Sequence, residues 1–313
     1  VVSVDAVYRD FDAWVGRRLA GVPGAGGVYA YEDAAEASFR AATALGWKKI
    51  YDLPIAYWET SRRLLEEEAQ RWPAWEPTLG GTRDSAEKCA RKTRELELAD
   101  VVVCPSRFVA DSLPAAVRAR KRVVAAPFGS PPVGAPRVAR ASQAPLRVLF
   151  AGSMPPRKGL ADLFAAMRLL DRREVQLVVM GTPVVDLAFY RREFPDFIHE
   201  PPRPHADVLA LMRTCDIFCL PSIVEGRALV VQEALSCGLP AIVTAHTGAD
   251  DVVREGRNGL VVPIRAPAAI AEKITWLAEH RDALPAWSAA GQEAAARFTW
   301  TGYGAIIGQA LKD

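Results

Sequence analysis

Histidine is scarce in this sequence, cysteine is unpaired, and long apolar runs are missing. Of four histidines, none precedes His199, so no imidazole is available for acid–base work in the first part of the chain. The five cysteines, Cys89, Cys104, Cys215, Cys219 and Cys237, are odd in number and form no Cys-x-x-Cys pair. They read as buried thiols of a reducing compartment, not as disulfides or zinc ligands. No apolar run approaches the roughly 20 residues that cross a bilayer, and the opening VVSVDAVYRD meets charge at Asp5, unlike a signal peptide. The 39 basic and 37 acidic residues leave a net charge of +2. That balance excludes a nucleic-acid partner held by bulk charge. A cytoplasmic protein is expected, with peripheral contact at the inner face of the membrane left open.

What is present is the composition of a soluble globular protein, half hydrophobic and a quarter charged, with length for about two domains. The stretch from Cys215 to Thr244 organises the rest. IFCLPS is a short apolar run ended by Pro221 and Ser222, which suits a buried strand of a parallel sheet. ALVVQEALSCG spaces its apolar residues for a helix that stops at Gly238, and LPAIVT gives a second buried strand. Glu225 then falls in the loop at the strand's carboxyl end, and Glu233 about two turns along the helix. The backbone at the helix start, Gly226 to Leu229, offers amides and a dipole to an anion. Each glutamate also has an ordinary reading, as a first-turn acid and as a solvated helix residue. For Glu233 the apolar surroundings argue otherwise, because an unpaired buried carboxylate costs several kcal/mol. A hydroxyl-bearing ligand or a basic partner is expected there.

Pro221-Ser222, Glu225-Gly226, Gln232-Glu233-Ala234-Leu235 and Cys237-Gly238-Leu239-Pro240 together resemble the signature of family-four retaining glycosyltransferases, group 1, of GT-B architecture. The resemblance implies an α/β fold of two Rossmann-like domains with parallel sheets and a terminal helix that crosses back to the first domain. It also assigns Glu225 to the donor sugar and Glu233 to the ribose hydroxyls of the nucleotide.

Helix and strand alternate through DFDAWVGRRLA, GVYAYED, EDAAEASFRAATALG and KKIYDLP, and ELELADVVVCPSRFVADSLP gives helix, buried strand and a helix capped by Ser106. The Gly-rich GVPGAGG precedes a strand, the wrong context for a phosphate loop. The segment 61–77 reads as a solvated helix followed by packed aromatics. An interface using Arg62, Arg63, Trp72 and Trp75 is the less favoured alternative. Boundaries are expected at 1–130 for the acceptor-side domain, 131–145 for a Pro/Gly/Ala-rich linker, 146–285 for the donor domain and 286–313 for crossover helices. The first domain lacks the opening strand and Gly-rich loop usual in the family, so it is expected to be incomplete.

LRVLFAGSMPPRKGLADLF opens the donor domain as strand, loop and helix, with Arg157 and Lys158 in the loop. Two cations at a strand's carboxyl end suit a diphosphate. Gly152, Ser153 and Lys158 follow the family's diphosphate loop, although Ser153 stands where many members carry Arg. His199 ends a strand near where the family places the nucleotide base. Thr247, Gly248 and Ala249 match a loop that lines the donor sugar with backbone amides; Ala249 replaces a glycine and Asp251 a glutamate, and a short helix is expected after them. Asp52, in the YDLP turn, is the candidate nearest the region where many members place a histidine.

The expected function is retaining transfer of a sugar from a nucleoside diphosphate sugar to a glycan, lipid-linked or small-molecule acceptor. No cofactor and no metal are expected. The competing reading is a nucleotide-sugar binding subunit without turnover, or a shortened transferase that needs a partner. A phosphorylase needs a pyridoxal-bearing lysine and far more chain, and an epimerase lacks the two-glutamate signature.

Overall fold

The computed structural model describes residues 3–80, 84–134, 144–170 and 172–312. Most of the expected linker, residues 135–143, lies outside them. The chain divides into two compact units. Unit 1 comprises residues 1–62, 81–127 and 301–313, and unit 2 comprises 63–80 and 128–300.

Unit 1 carries β1 (Gly27–Tyr31), β2 (Lys48–Asp52), β3 (Val101–Cys104) and β4 (Arg122–Ala125), paired parallel in that order. Helix α1 (Val4–Gly16) precedes β1, and between the strands run α2 (Glu36–Ala44), α3 (Trp58–Arg71), α4 (Ala86–Leu98), α5 (Arg107–Ser112) and α6 (Ala115–Arg120). The hydroxyl of Ser106 caps α5 by accepting from Val109 N, as its sequence position predicts. GVPGAGG leads into the amino end of β1, the end of a parallel sheet away from its ligand crevice.

Unit 2 holds a six-stranded parallel sheet ordered β10-β9-β8-β5-β6-β7. Its strands are β5 (Leu146–Ala151), β6 (Val175–Met180), β7 (Phe197–Glu200), β8 (Ile217–Leu220), β9 (Ala241–Thr244) and β10 (Gly259–Val262), and its helices are α7 (Leu160–Leu170), α8 (Leu187–Glu193), α9 (His205–Arg213), α10 (Leu229–Ser236), α11 (Pro267–Glu279) and α12 (Leu284–Ala296). Strands β5, β8 and β9 have their central apolar residues fully buried, which is why they read as continuous hydrophobic runs. The order runs outward from β5 through β6 to β7, then restarts at β8 on the other side of β5. The β5/β8 border is therefore a topological switch point, where open α/β sheets form their ligand crevice.

The helix α13 (Trp300–Lys312) clusters with unit 1 from Thr301 onward, and its Ala310 is buried with Ile50, Val101 and Val103. Tyr303 on α13 meets Tyr29 of β1, hydroxyl to hydroxyl, at 3.0 Å. The division between units falls inside α3, so the second part of this helix and the following WPAWEP belong to unit 2. There Trp75 is buried against Phe164, Phe189 and Tyr190, and its indole N–H donates to Glu193 at 3.2 Å. The aromatics of this segment are packing residues, and the interface alternative fails for Trp75.

One expected element is absent. After the loop at Thr247 the chain forms turns, not a short helix, before β10. Asn258 holds these turns by accepting from Arg254 N at 2.7 Å and donating to Val252 O at 3.0 Å.

Candidate functional site

The loops that follow β5 and β8 meet at the switch point, and close backbone packing makes that possible. Gly159, at φ +76°, lies where a Cβ would come within 2.1 Å of Pro221 O. Gly181, at the end of β6, lies where a Cβ would come within 1.8 Å of Gly152 O. Only glycine fits either position without displacing backbone. The two loops are also joined directly. Ile223 N donates to Arg157 O at 2.8 Å, and Arg157 Nη1 donates to Val224 O at 2.8 Å.

At this seam Glu225 is buried between two cations. Lys158 Nζ donates to its Oε1 at 2.8 Å, and Arg157 Nη1 stands 3.2 Å from its Oε2. Burial alone would push the Glu225 carboxyl up, but Arg157 and Lys158 outweigh it and hold the group below its ordinary value. Two cations facing one carboxylate leave the cluster net positive, suited to a ligand that brings further negative charge. Gly152 adjoins it: a Cβ there would stand 3.1 Å from the Lys158 stem. Ser153 is exposed beside it.

Glu233 lies barely more than one turn into α10, closer to the helix start than the two turns expected, because the helix begins only at Leu229. It is half-buried and accepts from His205 Nε2, at the start of α9, at 3.2 Å. The basic partner expected from its apolar setting is thus His205, which the sequence could not place because α9 and α10 are separated by β8. The amides at the helix start are less open than expected. Ala228 N donates to Thr247 O at 2.9 Å, so it is already used. Gly226 is buried in the same loop.

The Thr247 loop is tightly held. Thr247 is fully buried and its hydroxyl donates to Thr244 O at 2.7 Å, Gly248 takes φ +68°, and Ala249 is buried. His246, in the same loop, is hydrogen-bonded through Nδ1 to Ile223 O at 2.8 Å, and burial pushes its imidazole below 6.5. The sequence carries no local signal for it, because its partner Ile223 lies 23 positions away. His199 lies near the end of β7, half-buried, with Nε2 3.1 Å from Gly181 O and with β6 between its strand and β5.

Asp52 belongs to unit 1, at the carboxyl end of β2. It is buried beside Tyr29, and burial raises its carboxyl while the Tyr29 hydroxyl opposes the shift. The chain does contain one Asp-x-Asp, Asp10-Phe11-Asp12, which the expectation of a metal-free site left out of account. Asp12 is committed to capping α2, accepting from Ala37 N at 2.6 Å and Ser38 N at 2.9 Å. No group of three or more metal-ligating side chains occurs among the described residues.

The pattern of the glycosyl transferases group 1 family matches residues 136–294, just over half of the chain and all of the site just described except Asp52. The chain belongs to the glycosyl transferases group 1 family. It is similar to a D-inositol 3-phosphate glycosyltransferase of Corynebacterium glutamicum, 29% identical over 179 residues that cover 53% of this chain and 43% of that protein. It is also similar to an uncharacterized glycosyltransferase of Methanocaldococcus jannaschii, 27% identical over 161 residues, or 49% of this chain and 44% of that one. The chain therefore spans less than half the length of these curated relatives. Among solved structures it is similar to sucrose-phosphate synthase of Thermosynechococcus elongatus, with TM-score 0.75, 18% identity and coverage of 100% of this chain and 80% of that one. HepE of Anabaena, solved with UDP, gives TM-score 0.71 at 15% identity, covering 96% and 81%. The fold of this group 1 glycosyl transferase is thus GT-B, with a parallel sheet in each unit. No helix among its described residues is long and apolar enough to cross a membrane.

Proposed function

We propose that this chain binds a nucleoside diphosphate sugar at the carboxyl ends of β5 and β8 and transfers the sugar with retention to a glycan, lipid-linked or small-molecule acceptor. The observation that carries the reading is the Arg157–Glu225–Lys158 cluster, which places two cations and a buried carboxylate at the switch point of the sheet. In this reading Lys158, Arg157 and the loop from Gly152 to Ser153 hold the diphosphate, and Glu225 takes the sugar hydroxyls. Glu233 holds the ribose, and His199 lies toward the base. The relatives named as glycosyltransferases, and the HepE structure with UDP, support the same ligand class.

Breaking the glycosyl–phosphate bond leaves negative charge on the departing diphosphate. Lys158 and Arg157 would stabilise that charge as it develops, each such donor contributing about 3–4 kcal/mol. The leaving phosphate would accept the acceptor's proton on the same face of the sugar, which accounts for retention. The chemistry requires no metal. Asp52 is the acceptor-side candidate in unit 1, and the protein would act in the cytoplasm, reaching a lipid-linked acceptor at the membrane's inner face.

A thermal-shift and hydrolysis screen against UDP-, GDP-, dTDP- and ADP-sugars, with chelator and with added divalent metal, tests this. One donor should stabilise the chain and be slowly hydrolysed at a rate the chelator leaves unchanged. Stabilisation without turnover in the presence of acceptors would make the chain a binding subunit. No stabilisation by any of the four would refute the donor site.

A further inference from the structure

The residue after Glu225-Gly226 is Arg227, and its side chain is fully buried. Its guanidinium touches three separate segments of unit 2. Nη1 donates to Gly248 O at 3.1 Å and pairs with both oxygens of Asp251 at 2.8 and 2.9 Å. Nε donates to Gln232 Oε1 at 2.6 Å, and Cζ lies 4.7 Å from the centre of the Phe298 ring. Gln232 passes the contact on, its amide nitrogen donating to Phe128 O at 2.9 Å and Ser130 Oγ at 2.8 Å. Gln232 is fully buried and directly precedes Glu233 on α10. Arg227 Nη2 is buried without a partner among the described residues. An unpaired buried donor is destabilising, so the arginine is not placed there for stability alone.

We propose that Arg227 is a positioning residue of the donor site. It fixes the loop carrying Glu225 to the loop carrying Thr247 and Gly248, and its contact with Gln232 holds the guanidinium in that orientation. The proposal rests on the donor reading above. It assigns to the side chain a role distinct from the backbone contact expected of this position. The planar fork is essential, because it reaches Gln232, Gly248 and Asp251 at once, which the single ammonium of lysine cannot do. Arg227 acts on the loops that face the diphosphate and sugar, whereas ribose recognition rests on Glu233, which His205 holds from another side.

The test uses the full chain, the nucleotide sugar that stabilises it among the UDP-, GDP-, dTDP- and ADP-glucose forms, and the matching nucleoside monophosphate. Calorimetry should show Arg227→Lys weakening the nucleotide sugar by about tenfold or more while leaving the monophosphate within about twofold, since only one fork is lost. Asp251→Asn, whose side chain is 42% exposed and whose replacement threatens folding less, should shift the nucleotide sugar in the same direction. Unchanged affinity for the nucleotide sugar in both variants overturns the proposal. So does an equal loss for monophosphate and nucleotide sugar, the mark of a merely structural residue. If the wild type binds none of the four, the donor reading itself fails and the proposal falls with it. If Lys158→Ala and Glu233→Ala weaken binding but the Arg227 and Asp251 variants do not, only the proposal fails.

Discussion

Glu225 and Glu233 are eight positions apart in sequence, and their surroundings differ completely. Glu225 is buried between Arg157 and Lys158, so it stays ionised. A group with a depressed folded pKa adds stability that is present above its unfolded value of 4.5 and lost as pH falls through the lower folded value. Glu233 is half-buried with a single exposed histidine as neighbour, which leaves it open to exchange that contact for ribose hydroxyls. Glu233→Ala should therefore weaken nucleoside monophosphate binding by about tenfold or more in calorimetry, as expected for a charge-assisted hydrogen-bond pair. Unchanged affinity would remove Glu233 from the nucleotide. Both glutamates were legible in the sequence because they sit in an otherwise apolar strand–loop–helix–strand. The side chains of Arg227, Gln232 and His205 were not, because apart from the Arg227–Gln232 contact their partners lie from 21 to 104 positions away, beyond any local pattern.

At the scale of elements, the strands and helices of unit 2 followed from hydrophobic periodicity and from glycine and proline punctuation, as at Gly238 after α10. The short helix expected after Thr247 failed to form. The DDVVREGRNG segment has helix-like spacing, but Gly256 at φ +70° and the Asn258 bridges favour turns. The WPAWEP segment shows the limit of local reading from the other direction. Its tryptophan and proline content fits a surface contact as well as a plug, and only the tertiary fold buries Trp75 among Phe164, Phe189 and Tyr190. Trp75→Ala should cost about 3–5 kcal/mol of stability from the cavity left in this aromatic cluster. Chemical denaturation would measure it, and a loss below about 1 kcal/mol would mean the cluster is not part of the core.

At the scale of the whole molecule, the order of the strands could not be read from the sequence. Alternating elements predict parallel sheets, yet they do not say that β8 returns beside β5. That return is what brings Lys158 and Glu225 together from 67 positions apart. Buried carboxyls of this chain also respond to pH in opposite senses, Glu225 being held down and Glu32 pushed up. In unit 1, burial pushes Glu32 up to about 7 although Lys92, 3.3 Å away, pulls it down, and Glu95 is raised to about 6. A carboxyl with a raised folded pKa keeps its proton longer in the fold than in the unfolded chain. It therefore disfavours folding progressively as pH rises from about 4.5 to about 7. Glu32→Gln should flatten the fall of melting temperature between roughly pH 5 and pH 7; an unaltered slope would show that the Glu32 proton is not coupled to folding.

The proposed donor site stands or falls with the Arg157–Glu225–Lys158 cluster as the place where the diphosphate is held and its departing charge stabilised. Turnover of the stabilising nucleotide sugar by wild type and by Lys158→Ala tests it most directly. The substitution is expected to lower kcat by about 10²-fold or more while affinity for the nucleoside monophosphate is kept. A near-normal kcat in Lys158→Ala would contradict it.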